Sequence, residues 1–171
     1  MIMNETLAVI RQRRSIRRYQ PEQISDAERD AILAAGQCAP HAGAPVWHFT
    51  AVQNRALLDQ LNQAAKAAVR QMGIPGLQPL AENEAYDCLY GAPTLVIVST
   101  DEASPLPPEA DCAAAVQNML LAAQSLGLGS CWIFFVTMAF FSPQGGELRE
   151  ALKIPEGYKP LFSAVFGYPD E

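Results

Sequence analysis

The chain has 171 residues and a formal net charge of −6, from 12 Lys and Arg against 18 Asp and Glu. Half of its residues are apolar and 18% are charged, a composition that excludes a disordered chain and predicts one domain over residues 1–171. The acidic balance argues against nucleic acid as a partner, because binding to a phosphate backbone requires a broad basic face.

No apolar run approaches the length of a membrane span, and the first residues lack the charged start of a signal peptide. We therefore expect no membrane association and a cytoplasmic location. The four cysteines show no CxxC spacing, so neither a zinc site nor a redox dithiol is predicted. They are interpreted as reduced core residues, with a catalytic role as the alternative: Cys38, Cys88, Cys112 and Cys131.

Apolar periodicity and capping residues predict six helices. Asn4 can cap the first helix, and Ser25 and Glu28 fit a capping box at the start of the second. The fifth helix is nearly all apolar, which predicts burial on all sides. The helices are expected from residue 4 into the arginine cluster described below and over residues 25–38, 54–72, 84–90, 111–128 and 142–152.

Four apolar segments predict strands. Residues 93–100 form a continuous apolar run, which is typical of a central strand covered on both faces. Residues 46–53 instead alternate Trp47, Phe49 and Ala51 with polar residues, as a half-buried strand does. The remaining strands are expected at residues 130–137 and 161–168. Because strands and helices do not alternate strictly, the sequence predicts an α+β layered fold with a mixed sheet.

Five arginines lie in the eight residues RQRRSIRR (11–18), around one serine. Positive charge at the C-terminal end of the first helix suits the helix dipole. That explanation accounts for one or two arginines, but not for five around Ser15.

Three stretches, in the expected order, resemble the nitroreductase-like flavoproteins. They are RRSIRRY (13–19) with the residues up to VWHF, DCAAAVQNMLLAAQSLGLGSCWI (111–133), and LKIPEGYKPLFSAVFGYPDE (152–171). The resemblance implies a three-layer fold, in which helices flank a mixed, mainly antiparallel central sheet. It also implies an intertwined homodimer that binds FMN at sites shared by two subunits.

The resemblance suggests a role for the arginine cluster. Guanidinium groups bind phosphate oxygens in a planar, bidentate way. In the family pattern, Arg13, Arg14 and Ser15 take the FMN phosphate and ribityl chain. Arg17 lies near the pyrimidine edge of the flavin, where its charge favours the anionic reduced form. Arg11 and Arg18 match no family position and are expected to be solvated.

Two further segments match flavin-contacting positions. The neighbouring subunit would contribute Pro40, His41 and Ala42, although His41 stands where serine is usual and is either a ligand or part of a plain surface loop. The turn after the fifth helix would place Cys131, Trp132 and Ile133 along the flavin. The alternative for this turn is a simple tight helix-to-strand connection.

The chain also departs from the family pattern. Phe134 and Phe135 stand where relatives have glycines near the flavin, Ala44 and Pro45 replace polar residues, and a basic tail beyond Glu171 is missing. Phosphate binding would then depend on the opening arginines. The sequence leaves open how tightly FMN is held and how the two phenylalanines shape the pocket.

The resemblance implies an FMN-dependent oxidoreductase with a ping-pong mechanism. NAD(P)H would deliver hydride to the flavin and leave, and a nitroaromatic, quinone or related small-molecule acceptor would then be reduced in the same cleft. No side chain is assigned as catalytic, because the flavin supplies the chemistry. The alternative is a catalytically degenerate flavin-binding or interaction protein of the same fold. Neither the acceptor nor the choice between NADH and NADPH can be read from the sequence.

Overall fold

A four-stranded antiparallel sheet lies between two layers of helices in the computed structural model, which describes residues 2–170. Met1 and Glu171, the end residues of the predicted domain, lie outside that range. The strands are β1 (Trp47–Val52), β2 (Thr94–Asp101), β3 (Gly129–Ile133) and β4 (Tyr158–Gly167), in the spatial order β1-β2-β4-β3. The predicted α+β architecture is confirmed.

Six α-helices and one 3-10 helix complete the described chain. They are α1 (Glu5–Gln12), α2 (Asp26–Gln37), α3 (Arg55–Met72), α4 (Gln78–Glu82), α5 (Glu109–Ser125), the 3-10 helix Phe135–Phe141, and α6 (Gly145–Ala151). The caps that the sequence predicted are present. Asn4 Oδ1 accepts a hydrogen bond from the Leu7 N–H at 2.9 Å, and Ser25 and Glu28 form a complete capping box.

The two faces of β2 belong to two separate parts of the core. Leu95 and Ile97 face the layer that contains α3 and the 3-10 helix. Val96 and Val98 face the opposite layer, which contains α2 and α5. Because both faces of the strand are covered, its continuous apolar sequence is accommodated without exposing any of these side chains. The prediction of a central, fully buried strand is confirmed.

The predicted strand 130–137 is too long. Strand β3 ends at Ile133, and the chain continues as the 3-10 helix. Both the backbone N–H and the hydroxyl of Thr137 donate to the Phe134 carbonyl, at 3.1 and 2.6 Å. These local bonds replace the sheet ladder that the β-branched and aromatic residues favour.

The predicted helix 84–90 is also wrong, since residues 83–91 form consecutive turns. The Asp87 carboxylate accepts the N–H groups of Leu89 and Gly91, both at 2.9 Å, and so occupies donors that a helix would use. A short helix does occur nearby, but it is α4, which ends at Glu82, before the predicted segment begins.

Burial differs from expectation in β1 and α5. Ala51 is exposed, while His48 and Thr50 are as buried as Trp47 and Phe49, so the strict alternation predicted for this strand is wrong. Helix α5 ends at Ser125, and Leu126 beyond it is exposed. One side of α5 is only partly covered by the described residues, and the prediction of burial on all sides is wrong.

Candidate functional site

The segment after α1 lies along the outer edge of β3. The Ile16 N–H donates to the Ser130 carbonyl at 2.9 Å, and Ser15 forms a parallel bridge with Ser130. Tyr19 is buried beneath the segment, and its hydroxyl donates to the Ile16 carbonyl at 2.7 Å. The backbone at Ser15 and Ile16 is therefore tied to the edge of β3, while Tyr19 supports it from the core.

The end of the described chain holds the same segment from its other side. The Gln20 N–H donates to the Tyr168 carbonyl at 2.9 Å, and the Asp170 N–H donates to the Arg18 carbonyl at 3.0 Å. Arg18 also pairs through Nη2 with Asp170 Oδ2 at 3.1 Å. Arg18 is exposed, as predicted, but it has an acidic partner.

Three predicted ligands meet around one buried thiol. Burial raises the pKa of Cys131, while Arg17, a hydrogen bond with Ser15, and Arg13 act on that pKa in the opposite direction. Each of these three residues is therefore near enough to β3 to act on Cys131. The sulfur itself is enclosed, since Cys131 is buried in the core layer of α3.

Three arginines of the cluster differ from Arg18 in having no acidic partner among the described residues. Within residues 2–170, no carboxylate lies at ion-pair distance from Arg13, Arg14 or Arg17, whereas Arg29 has two such partners and Arg55 has one. Arg14 Nη1 instead donates to the carbonyls of Arg11 and Arg13, at 2.6 and 2.9 Å. Arg13, Arg14 and Arg17 thus offer concentrated positive charge without a carboxylate partner in the described residues, which suits an anion.

The residues at the end of β3 divide between core and surface. Cys131 and Ile133 are buried, whereas Trp132 points to the opposite face, remains 37% exposed and packs edge-on against Phe162 at 5.1 Å. Because alternate residues of a strand present their amide groups to the same edge, Trp132 presents its amide to the edge that Ser130 uses for Ile16. By the same alternation, Cys131 and Ile133 present their backbone groups to the edge that pairs with β4, and their side chains are buried, so neither offers an exposed group to a ligand of the same chain.

The two phenylalanines that follow β3 have different environments. Phe134 is 60% exposed, while Phe135 is 5% exposed and packs edge-on against Tyr86 at 5.5 Å. Only Phe134 is therefore available to a ligand.

The segment Pro40 to Ala42 lies elsewhere in the chain. All three residues are exposed, and the Ala42 N–H donates to Asp111 Oδ2 at 3.2 Å, in the first turn of α5. His41 Nδ1 lies 3.0 Å from the Gly43 carbonyl oxygen. The arginine segment packs near the other end of α5, which extends roughly 20 Å from Asp111 to Ser125. A single chain does not bring these two groups of predicted residues together.

Two tyrosines near the cluster were not predicted from the sequence. The ring of Tyr90 lies beneath Arg17, with the guanidinium carbon 5.9 Å from the ring centroid, and Tyr86 packs edge-on against Tyr90 at 6.4 Å. More than seventy residues separate Tyr90 from Arg17. No spacing rule links them, and only the fold brings them into contact.

Residues 2–170 contain neither a membrane-spanning helix nor a metal site. No helix of residues 2–170 is both long and apolar enough to cross a bilayer. In that range, no three His, Cys, Asp or Glu side chains gather in a way that could hold a metal ion. All four cysteines are free thiols, and Cys38 is exposed rather than in the core as predicted.

The fold agrees with what comparison with known proteins finds. The Nitroreductase family matches the chain over residues 10–168, and the chain belongs to that family. Several proteins similar to this chain are nitroreductases whose crystal structures contain bound FMN. One, from Bacteroides fragilis, is 39% identical, with coverage of 98% of this chain and 90% of that chain and a TM-score of 0.91.

Two further relatives cover nearly the whole chain. An FMN-bound nitroreductase from Desulfitobacterium hafniense is 30% identical, with coverage of 99% of this chain and 92% of that chain and a TM-score of 0.91. An Archaeoglobus fulgidus protein, provisionally named NADH dehydrogenase/NAD(P)H nitroreductase, is 34% identical over 174 residues. That alignment covers 99% of this chain and 88% of the relative.

Proposed function

We propose that this enzyme binds FMN with the arginine cluster on β3 and uses NAD(P)H to reduce a small-molecule acceptor. The observation that carries the proposal is the presence of three guanidinium groups without acidic partners, beside an extended strand edge. In a chain of net charge −6, such a local excess of positive charge suits a phosphate close to doubly negative.

The residues fit the two ends of FMN. Arg13, Arg14 and the hydroxyl of Ser15 supply donors for the phosphate and the ribityl chain. Arg17 lies farther along the segment, where it would meet the pyrimidine edge of the ring. The outward amide of Trp132 follows the same edge of β3, and Phe134 at its end is exposed.

FMN, when bound, supplies the redox chemistry, which is hydride uptake from NAD(P)H followed by reduction of a nitroaromatic, quinone or related acceptor in the same cleft. The protein would orient the flavin ring, exclude competing ligands and position charged groups beside the ring. Arg17 would place a permanent positive charge at the pyrimidine edge and so favour the anionic reduced state. Phe134 would limit the space available above the ring to flat acceptors.

We further propose that the functional unit is a homodimer. Pro40, His41 and Ala42 lie near one end of α5 and the arginines near the other, so these segments can share one flavin only if a second copy supplies one of them. An exposed apolar surface supports this arrangement. A groove of about 410 Å³ between α1, α2 and α5 includes Val9, Ile10 and Leu121 among its lining residues.

An absorption spectrum of the freshly purified protein is the first test. Bound flavin, with bleaching on addition of NADH or NADPH, is expected for the enzyme. A colourless protein that does not bind added FMN contradicts flavin binding. Bound flavin that NAD(P)H does not bleach supports the catalytically degenerate alternative.

The phosphate contact is tested by Arg13→Ala. Loss of a charge-assisted hydrogen bond costs about 1.5–3 kcal/mol, so FMN should bind roughly 10- to 150-fold more weakly. Riboflavin, which lacks the phosphate, should bind the native protein and the variant with similar affinity. Equal weakening for both flavins would exclude a phosphate contact.

The dimer is tested by light scattering with and without FMN. A stable monomer that binds one FMN per chain would refute the shared site. The cytoplasmic location stays a prediction from the sequence.

A further inference from the structure

Arg17 is the exposed cation of the cluster that has an aromatic support. Its guanidinium carbon lies 5.9 Å from the centroid of the Tyr90 ring, within the range of a cation–π interaction. A hydrogen bond with Tyr90 raises the pKa of Arg17, and the nearby Cys131 acts in the same direction. A long exposed side chain that is already held loses less rotamer freedom when it meets a ligand.

The backbone of Tyr90 is unusual. Tyr90 has φ 57°, in the left-handed region that bulky residues rarely adopt, and Gly91 follows with φ 75°. The Tyr90 N–H donates to the Asp87 carbonyl at 3.1 Å, and the Asp87 carboxylate accepts the N–H groups on either side of Tyr90. The turn therefore fixes the direction in which the Tyr90 side chain leaves the backbone.

Helix α3 anchors this turn from below. The Lys66 ammonium is 1% exposed and donates to three backbone carbonyls of residues 83–91, which we name the tyrosine loop: Asn83 at 2.7 Å, Glu84 at 3.2 Å and Tyr86 at 3.0 Å. Asn62 Oδ1 accepts the Cys88 N–H at 3.1 Å. Two polar side chains of α3 are thus committed to a loop that has no regular structure of its own.

A left-handed tyrosine, in a loop that a buried ammonium anchors at three other residues, needs an explanation beyond packing. The contacts support one explanation for this backbone conformation, which is that it places the Tyr90 ring under the Arg17 guanidinium. We propose that Tyr90 is a positioning residue, which holds the Arg17 guanidinium in place for the pyrimidine edge of the flavin. This inference rests on the proposed function, because it assigns a purpose to a contact at the same site.

A double-mutant cycle with Tyr90→Leu and Arg17→Ala tests the inference through FMN affinity. Tyr90→Leu is expected to weaken FMN binding about three- to fivefold, the size of a cation–π contact at an exposed site. In the Arg17→Ala background, the same substitution should have almost no further effect, because the two residues act as one unit. Additive effects would overturn the proposal.

The reduction potential of bound FMN provides a second readout. Tyr90→Leu should shift this potential to more negative values, since a displaced Arg17 stabilises the anionic reduced flavin less. Tyr158→Leu is the matched control, because Tyr158 is also half-buried and packs edge-on against another ring, that of His48 at 5.8 Å. An equal shift in both variants would indicate general loosening and overturn the proposal.

A third readout needs no flavin. In the ligand-free protein, the Nε–Hε resonance of Arg17, assigned by its loss in Arg17→Ala, should move when Tyr90→Leu removes the ring. An unchanged resonance overturns the proposal.

The outcomes separate this inference from the proposed function. If Arg17→Ala weakens FMN binding but Tyr90→Leu does not, the flavin site stands and the role of Tyr90 falls. If the native protein binds no FMN, the proposed function falls, and with it the purpose assigned to Tyr90.

Discussion

Ile16 and Gly129 approach so closely that a Cβ atom on Gly129 would lie 3.1 Å from the Ile16 Cβ. Ile16 stands between Ser15 and Arg17, so the absence of a side chain at residue 129 lets the arginine segment lie flat against β3. The backbone geometry of the candidate flavin site therefore depends on a glycine in a different element.

The first prediction concerns this glycine. Gly129→Ala should push Ile16 outward, destabilise the protein by about 1 kcal/mol and weaken FMN binding, because the donors on either side of Ile16 move with it. Thermal unfolding and FMN titration measure the two effects. Gly76→Ala is the control, since its Cβ would meet no atom within 4 Å. Unchanged FMN affinity in Gly129→Ala would show that the segment adapts without losing its contacts.

The second prediction concerns Arg14, which already donates to two carbonyls at the end of α1. Binding phosphate would exchange these acceptors for phosphate oxygens. Arg14→Ala should therefore weaken FMN binding by about 1.5 kcal/mol, roughly tenfold, at the lower end of the range for charged hydrogen bonds. Arg18→Ala removes the same local charge and should have a smaller effect. An unchanged FMN dissociation constant in Arg14→Ala would remove Arg14 from the site.

The third prediction concerns the buried ammonium of Lys66. Lys66→Met fills a similar volume but leaves three backbone carbonyls without their donor, which should lower the free energy of unfolding by about 2 kcal/mol. Urea denaturation measures this loss, and the exposed Lys159→Met serves as control. Native stability in Lys66→Met would mean that water or other donors satisfy the tyrosine loop equally well.

The fourth prediction concerns pH. Burial lowers the pKa of His48 from its usual value near 6.5, so the unfolded chain binds the proton more readily than the folded chain does. Stability should fall as pH drops below about 6.5 and level off once the pH is below the folded-state pKa. His48→Gln should remove this part of the pH dependence, while His41→Gln should keep it. If the native protein and His48→Gln lose stability identically as the pH falls, His48 is not the group responsible for this pH dependence.

Local sequence patterns predicted correctly those helices and strands whose packing in the fold matches their own apolar and capping residues. The continuous apolar run of β2 could only be satisfied between two layers, and the side chains of Asn4 and Ser25 cap α1 and α2 as their positions indicate. The resemblance assigned Arg13, Arg14 and Ser15 to the phosphate end of FMN and Arg17 to its ring, and Arg13, Ser15 and Arg17 each act on the pKa of Cys131.

The errors occur where side chains bind nearby backbone. Thr137 turns the chain after β3 into a 3-10 helix, and Asp87 and Lys66 draw the tyrosine loop away from a helix. Such bonds depend on which carbonyl lies within reach, and an apolar pattern carries no information about that. The contact between Arg17 and Tyr90 was missed for a related reason, since it exists only after α3 has anchored the loop.

The parallel bridge between Ser15 and Ser130 also affects the order of assembly. The cationic segment is synthesised more than a hundred residues before β3, which begins at Gly129. Until then the segment has no strand against which to become extended. If the segment holds FMN as proposed, capture of the cofactor would follow the synthesis of β3, and a nascent chain stalled before residue 129 would carry the arginines without the strand that orders them.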